Sequence, residues 1–401
     1  VRPRRFPYTP GGGAYSSIRV IRLGVVQTSL QAHVVAANAL TGRWCAAAGS
    51  GDFVLSGCGA WPLLALLADA AAGPGRAELA AAVGLPADEA RAAAVRLLTD
   101  IEAADTVAAA LGVWVRRDIA LRERWVRALP ADTVGTLTGQ ADLDAWASGH
   151  TGGLIDRFPL TVTPDTLLTL ATAVVAKTAW REPFHDDVLE PQDGPWRGHR
   201  GPGLFRHSRG LGDASILRGG VPVTRIDVRG GGDLDVHLLL GEADPGEVLG
   251  IGLGALDGSV EARTDLPIGT RGPGLIVRET RAVADTVRLA VPPFAIRSSH
   301  DLLSLPAVFG LSDTARSGGF PAISDTPLRV DRAAQQALAR FTREGFEAAA
   351  VTAVQMVRAA LAHPRPAVEI SATFDRPFGF LAVHRPTGLV IVAGWVATPP
   401  L

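Results

Sequence analysis

The sequence predicts an α+β protein. Helical patterns dominate the front of the chain and strand patterns the back. Three apolar strand patterns close the chain, and neither an internal repeat nor a linker divides it.

The elements follow in order. Residues 38–48 read as a helix, and residues 53–56 as a short strand after a Gly/Asp turn. Residues 59–72 form a strongly apolar helix that Gly73-Pro74 is expected to stop. A helix from Ala77 closes at Gly84-Leu85-Pro86, and residues 87–104 continue the helical pattern. Residues 106–115 then read as a buried strand, 122–129 and 142–150 as short helices, and 166–177 as a central strand rich in β-branched residues. Residues 191–232, rich in Gly, Pro and Arg, predict hairpins and loops. Leu234, Val236 and Leu238 alternate on one face of a strand over 233–240, and 245–256 is helix-like but broken by glycines. A strand over 286–294 and a short helix over 301–309 follow. Residues 328–341 read as strand or helix. The last strands cover 368–374, 378–384 and 389–396, with Arg385-Pro386-Thr387-Gly388 as a hairpin turn.

Composition excludes several function classes. The chain has 401 residues, 47% of them hydrophobic, enough for a large core. Its 39 basic and 40 acidic residues argue against nucleic-acid binding. No run of 18 apolar residues predicts a membrane helix. The opening stretch VRPRRFPYTPGGGAYSS is basic and Gly/Pro-rich and lacks the apolar block of a secretory signal. Residues 1–35 are expected to be a disordered arm and 36–401 a single domain. Cys45 and Cys58 are too few for a disulfide framework. They read as small buried hydrophobes, with a bridge between them left open.

The usual chemical motifs fail. The nine histidines are scattered, without metal-ligand spacing. GIGLG at 250–254 lacks the full dinucleotide fingerprint and the strand-to-helix switch that would make it a phosphate cradle. No GxSxG elbow occurs, and SGHTGG at 148–153 reads as a helix stop. Neither catalytic residues nor a metal or cofactor are expected. One stretch is unusual, REGFEAAAVTAVQM at 343–356. Its alanines suit a helix. Its alternation suits a strand, with Phe346, Ala348, Ala350, Thr352, Val354 and Met356 on one uncharged face.

FTREGFEAAAVTA resembles the hinge of the serpins, and FDRPFGFLAVHRPTGLVIVAGWVATP resembles that family's closing signature at nearly every position. Upstream, LAVPPFAIRSSHDLLSLPAVFGLSD, LLTLATAVVAKTAWREPF and FVLSGCGAWPLLALLADAAAGPGRAELAAAVG resemble its pre-hinge block, central strand and second helix. The resemblance runs in collinear order over residues 36–401 and implies a bacterial-type member.

The resemblance implies a single domain with three sheets, about nine helices and an exposed reactive loop. It implies an inhibitor, not an enzyme, acting as a monomer on a serine or cysteine protease. The protease cuts the loop, forms an acyl-enzyme and is dragged along as the loop inserts into the main sheet. Gly345, Phe346, Glu347, Ala348, Ala349 and Ala350 would form the hinge, with Gly345 folding the chain back. The family's count from the hinge glycine places the cut at Ala359-Ala360. The hinge-to-tail spacing is longer than usual, so Arg358, Leu361 and His363 stay open. A dozen new ladder bonds at about 0.5–1.5 kcal/mol each give a drive on the order of 10 kcal/mol. The native state would then be held by a kinetic barrier.

The pattern departs from the family in two places. Phe346 stands where Thr, Ser or Val is usual; either a larger hole receives it, or overpacking there would cost about 1–3 kcal/mol. A hindered insertion would leave a non-inhibitory substrate, binding or carrier protein. In the sheet-opening region Ser56 and Trp180 keep family residues, whereas Gly59, Thr172 and Gln335 are replacements. Gln335 and Thr172 either share a hydrogen bond or stand as ordinary buried polar residues, and the sequence leaves both readings open. The family is often extracellular, but with no leader in view the compartment stays open.

Overall fold

Four helices, Ala32–Ala47, Gly57–Ala70, Gly73–Val83 and Ala87–Glu102, open the computed structural model. It describes residues 30–102, 104–130, 133–316, 319–346 and 364–399. The first helix starts at Ala32, ahead of the expected residue 38, and His33 on its first turn bonds Asp100 of the fourth helix. Ser56 caps the second helix by accepting the Gly59 N–H at 3.0 Å. Gly73-Pro74 does not merely stop that helix. Pro74 lies in the first turn of the next one, where its missing N–H is harmless. That third helix ends at Gly84 in the left-handed region, φ 75°. The fourth helix is amphipathic and buries Ala90, Ala93, Ala94, Leu97, Leu98 and Ile101.

Two sheets pack behind these helices. The seven-stranded sheet runs Phe53–Leu55, Leu389–Val396, Phe378–His384, Leu234–Gly241, Pro222–Arg229, Ala214–Arg218, Glu261–Arg263. Its closing hairpin is buried at every strand position, so the tail signature is core on both faces. The helix Pro245–Asp257 lies against it, unbroken by its glycines. A Cβ on Gly252 would stand 2.3 Å from Leu239 Cδ1. The GIGLG glycines therefore sit in a helix, where Gly252 lets it approach the sheet. The six-stranded sheet runs Arg271–Gly272, Leu275–Ala282, Arg365–Thr373, Thr286–Val291, Gly201–Ser208, His185–Leu189. The stretch 191–232 thus holds three strands as well as turns.

The central sheet has two described parts. One pairs Val134–Thr136, Val107–Val115 and Leu168–Ala176; the other pairs Phe294–Asp301, Ala334–Phe341, Gly345–Phe346 and Thr178–Ala179. Leu168–Ala176 continues through Lys177 into Thr178–Ala179, so the two parts belong to one sheet, parted along a seam. The expected strand over 286–294 is two strands in two different sheets, separated by Pro292-Pro293, which carry no N–H for a ladder. Nine α-helices lie among the described residues, and none is long and apolar enough to cross a membrane. Cys45 and Cys58 are both buried and free, with burial pushing each thiol up to about 12.

Candidate functional site: the seam and hinge of the central sheet

At the top of the seam the chain turns back on itself. Strand Ala334–Phe341 ends in a tight reversal in which Thr342 N–H donates to Gly345 O at 2.9 Å. Gly345 and Phe346 then run antiparallel to the strand just left, with Phe346 opposite Phe341. On their other side they pair with the top of the long strand, Gly345 with Ala179 and Phe346 with Thr178. Trp180 N–H donates to Glu344 O at 2.9 Å, its indole N–H donates to Thr342 O at 2.9 Å, and Phe184 N–H donates to Arg343 O at 3.0 Å. Gly345 is not among the positive-φ glycines. The reversal falls on residues 342–344, and Gly345 is already ladder, which corrects its expected role as the fold-back residue.

Phe346 is fully buried. It meets Phe380 edge to face, ring centres 6.3 Å apart. Phe341 beside it stacks on Phe294 at 5.3 Å and touches Trp180 at 4.8 Å and Phe184 at 5.5 Å. A hole large enough for a phenyl ring therefore exists at this position. Its size comes from the aromatic wall around it, which no local reading of residue 346 reveals.

Below the hinge the seam is open. Among the described residues Leu168–Ala176 pairs only with Val107–Val115, and Ala334–Phe341 shares no ladder with it. Two adjoining cavities of about 60 Å³ each lie along the seam, both lined by Gly59, Thr151, Thr172 and Gln335. Of the two open readings, a shared Gln335–Thr172 hydrogen bond is not the one the structure has. Gln335 Oε1 accepts Ser56 N–H and its Nε2 donates to Ser56 O, both at 2.8 Å, while Thr172 Oγ1 donates to Gly59 O. Ser56 Oγ donates to Ile391 O at 2.7 Å. Each strand is thus tied to the first turn of one helix instead of to the other strand. Gly59, a family replacement, fits this: a Cβ there would come within 3.3 Å of Gln335 Nε2.

A buried charged layer supports the hinge from behind, and sequence reasoning missed it. Residues 229–231 run beside 178–181: Trp180 bridges Gly230, Gly231 N–H donates to Ala179 O at 2.8 Å, and Arg181 N–H donates to Arg229 O at 3.0 Å. Asp235 holds this segment. Its Oδ1 accepts Gly230 N–H at 3.0 Å and Arg385 Nη2–H at 2.6 Å; its Oδ2 accepts Arg229 Nη1–H and Arg385 Nε–H, each at 2.8 Å. Burial works to raise the Asp235 carboxyl, but the bonds from Arg385 and Arg229 outweigh it and hold it below the usual range. Burial works the other way on Arg229, and Asp227, Asp213 and Asp235 together raise it above its ordinary value. Neighbouring His237 is lowered by burial. The signal was present as Arg225, Asp227 and Arg229 alternating against Asp235 and His237, an ionic face on two otherwise apolar strands.

Of the expected site residues, Gly345, Phe346 and Trp180 meet at the hinge, and Ser56, Thr172 and Gln335 at the seam. Glu347, Ala348, Ala349, Ala350, Arg358, Ala359, Ala360, Leu361 and His363 lie outside the described residues.

Residues 36–193 and 274–399 match the family model described as serpin, serine protease inhibitor. The chain belongs to the serpin family. Serpins are in general protease inhibitors rather than enzymes. Among curated relatives, serpin-Z12 of Oryza sativa subsp. japonica is 29% identical over 395 residues, covering 89% of this chain and 88% of the relative. Serpin B6 of Pongo abelii is 29% identical over 118 residues, 29% of this chain and 30% of the relative. The fold is shared with thyroxine-binding globulin in complex with thyroxine, TM-score 0.67 at 15% identity, covering 92% of this chain and 99% of that one. It is shared equally with the thermophilic serpin tengpin in its native state, TM-score 0.66 at 16% identity, covering 92% and 93%. With a plant serpin matching over most of its length, the chain has no support here for the narrower bacterial-type assignment.

Proposed function

We propose that this serpin traps a serine or cysteine protease, one molecule for one, by being cut near Ala359-Ala360 and inserting the freed segment into the central sheet. One observation carries the reading. Gly345 and Phe346 already occupy a strand position between Thr178–Ala179 and Phe341, directly above a seam whose edges have no partner among the described residues. Starting a new strand is the costly part of insertion. Each residue fixed costs about 1–2 kcal/mol, and each ladder bond returns about 0.5–1.5 kcal/mol. A buried aromatic at the first position adds about 1.5–3 kcal/mol, so the nucleus is in place before the cut. The burial of Phe346 supports this reading, because its ring already lies inside the sheet. No group of this chain need be nucleophilic, because the target supplies the attacking residue.

A second reading is a binding or carrier protein that keeps the fold and has lost the transition. It is favoured by the likeness to thyroxine-binding globulin, a fold that holds a small molecule. Incubation with a panel of serine and cysteine proteases, read on a denaturing gel, separates the two. A stable band at the summed mass supports trapping. Clean cleavage without such a band, and no rise in melting temperature of the nicked protein, overturns it.

A further inference from the structure

Asp235 stands on the strand Leu234–Gly241, outside the central sheet, with its side chain 1% exposed. Both its oxygens are saturated, by two arginines and one backbone N–H. A carboxylate this buried is costly unless every lone pair is used, and here the bonding serves one short segment. Gly230 N–H is among the donors. Arg385, besides gripping Asp235, donates to Gly232 O at 2.9 Å. Residues 230–232 are therefore held by bonds to and through one carboxylate.

That segment forms the wall behind the hinge seat. Gly230 and Gly231 engage Ala179 and Trp180 on one edge, while Gly345 and Phe346 engage Thr178 and Ala179 on the other. The fit is close: a Cβ on Gly230 would stand 2.3 Å from Thr178 Oγ1 and 2.1 Å from Leu234 O. Thr178 is the residue opposite Phe346. With Phe346 seated, residues 178–179 stand two strand spacings from Phe341, about 9–10 Å. The strands below share no ladder among the described residues, so this spacing rests on the bonds of Trp180 and Phe184 to residues 342–344 and on the wall at 230–231.

We infer that Asp235 is a positioning residue for loop insertion. Acting through Gly230, it fixes residues 178–179 against the wall at 230–231 and so keeps the seat of Phe346 open. Without the clamp, residues 178–179 lose the wall on their far side, and the seeded strand loses a fixed second edge. This deepens the trapping mechanism proposed above and rests on it for its consequence, but the clamp is measurable in the intact chain.

The test is hydrogen–deuterium exchange of the full, uncut chain, comparing wild type with Asp235→Asn, which keeps the shape and removes the charge. Exchange is expected to rise at least tenfold in peptides covering 178–184 and 341–346, together with 229–235. Glu369→Gln serves as control. It withdraws another nearly buried carboxylate from arginine, Arg278, in the six-stranded sheet, and should leave the hinge peptides unchanged. Loosening of 229–235 alone, with the hinge as protected as in wild type, overturns the inference. So does equal loosening of the hinge by Glu369→Gln, which would mark general destabilisation. Should Asp235→Asn not accumulate folded, Arg385→Gln removes two of the four bonds to Asp235. It should raise hinge exchange about threefold, and no rise overturns the clamp. None of these readouts needs a protease. If nicked wild type gains no thermal stability, the trapping reading fails while exchange still decides the clamp. If it does gain stability, Asp235→Asn should slow that gain about tenfold.

Discussion

Truncating Phe346 to alanine should undock the hinge while leaving the rest of the fold in place. Phe346 is fully buried, edge-on to Phe380. Its burial contributes about 1.5–3 kcal/mol, and the aromatic contact about 0.5–1.5 kcal/mol more. Ordering the two hinge residues costs about 1–2 kcal/mol each, which their few ladder bonds at about 0.5–1.5 kcal/mol roughly offset. Docking therefore depends on the phenyl ring, to the extent of about 2–4 kcal/mol. At about 1.4 kcal/mol per factor of ten, its loss should speed exchange of the 341–346 peptide by about 30- to 1,000-fold. Peptides of the closing hairpin, residues 378–396, should keep their protection, because that sheet does not need the hinge to pair. Exchange mass spectrometry of the intact protein reads both at once. A rise below about threefold at the hinge would mean that the backbone holds it without the ring. An equal rise in the hairpin would mean that hinge and core open as one unit. Either result refutes the picture of a locally docked seed.

Other consequences are open to direct measurement. Gln335→Ala removes both hydrogen bonds to the Ser56 backbone and should cost about 1–3 kcal/mol, seen as a lower urea midpoint with an unchanged slope. Cys45 and Cys58, with thiols pushed up to about 12, should resist thiol reagents at pH 8 in the native state and react together on unfolding; fast native labelling would contradict their burial. His237 is depressed below its ordinary 6.5 by burial. The unfolded chain then takes up a proton near 6.5 that the native state refuses. Its contribution is complete above that pH and declines as pH falls below it. The urea midpoint should drop between pH 7.5 and 5.5, and His237→Gln should flatten the drop.

The outcome at residues 345–346 shows how far local sequence reaches. The stretch from Arg343 to Met356 carries an alternation that already separates an inward from an outward face, and Phe346 does face inward. Gln335, Thr172 and Ser56 were legible as a polar group at the opening of the sheet, but not whom they would bond. Gln335 bonds the Ser56 backbone and Thr172 the Gly59 carbonyl, because a helix turn lies between the two strands. Pro292-Pro293 ended one strand and began another in a different sheet, a division that reading 286–294 as one apolar run concealed.

By itself the sequence determined the family and the closing hairpin, because those depend on contiguous patterns: period-two alternation and turn residues. Only the tertiary structure decided that Phe346 is buried and that Asp235 is gripped by two arginines. Phe346 meets Phe380, and Asp235 meets Arg385, across long stretches of chain. The room for a ring and the value of a buried charge are set by atoms that become neighbours only when the sheets pack.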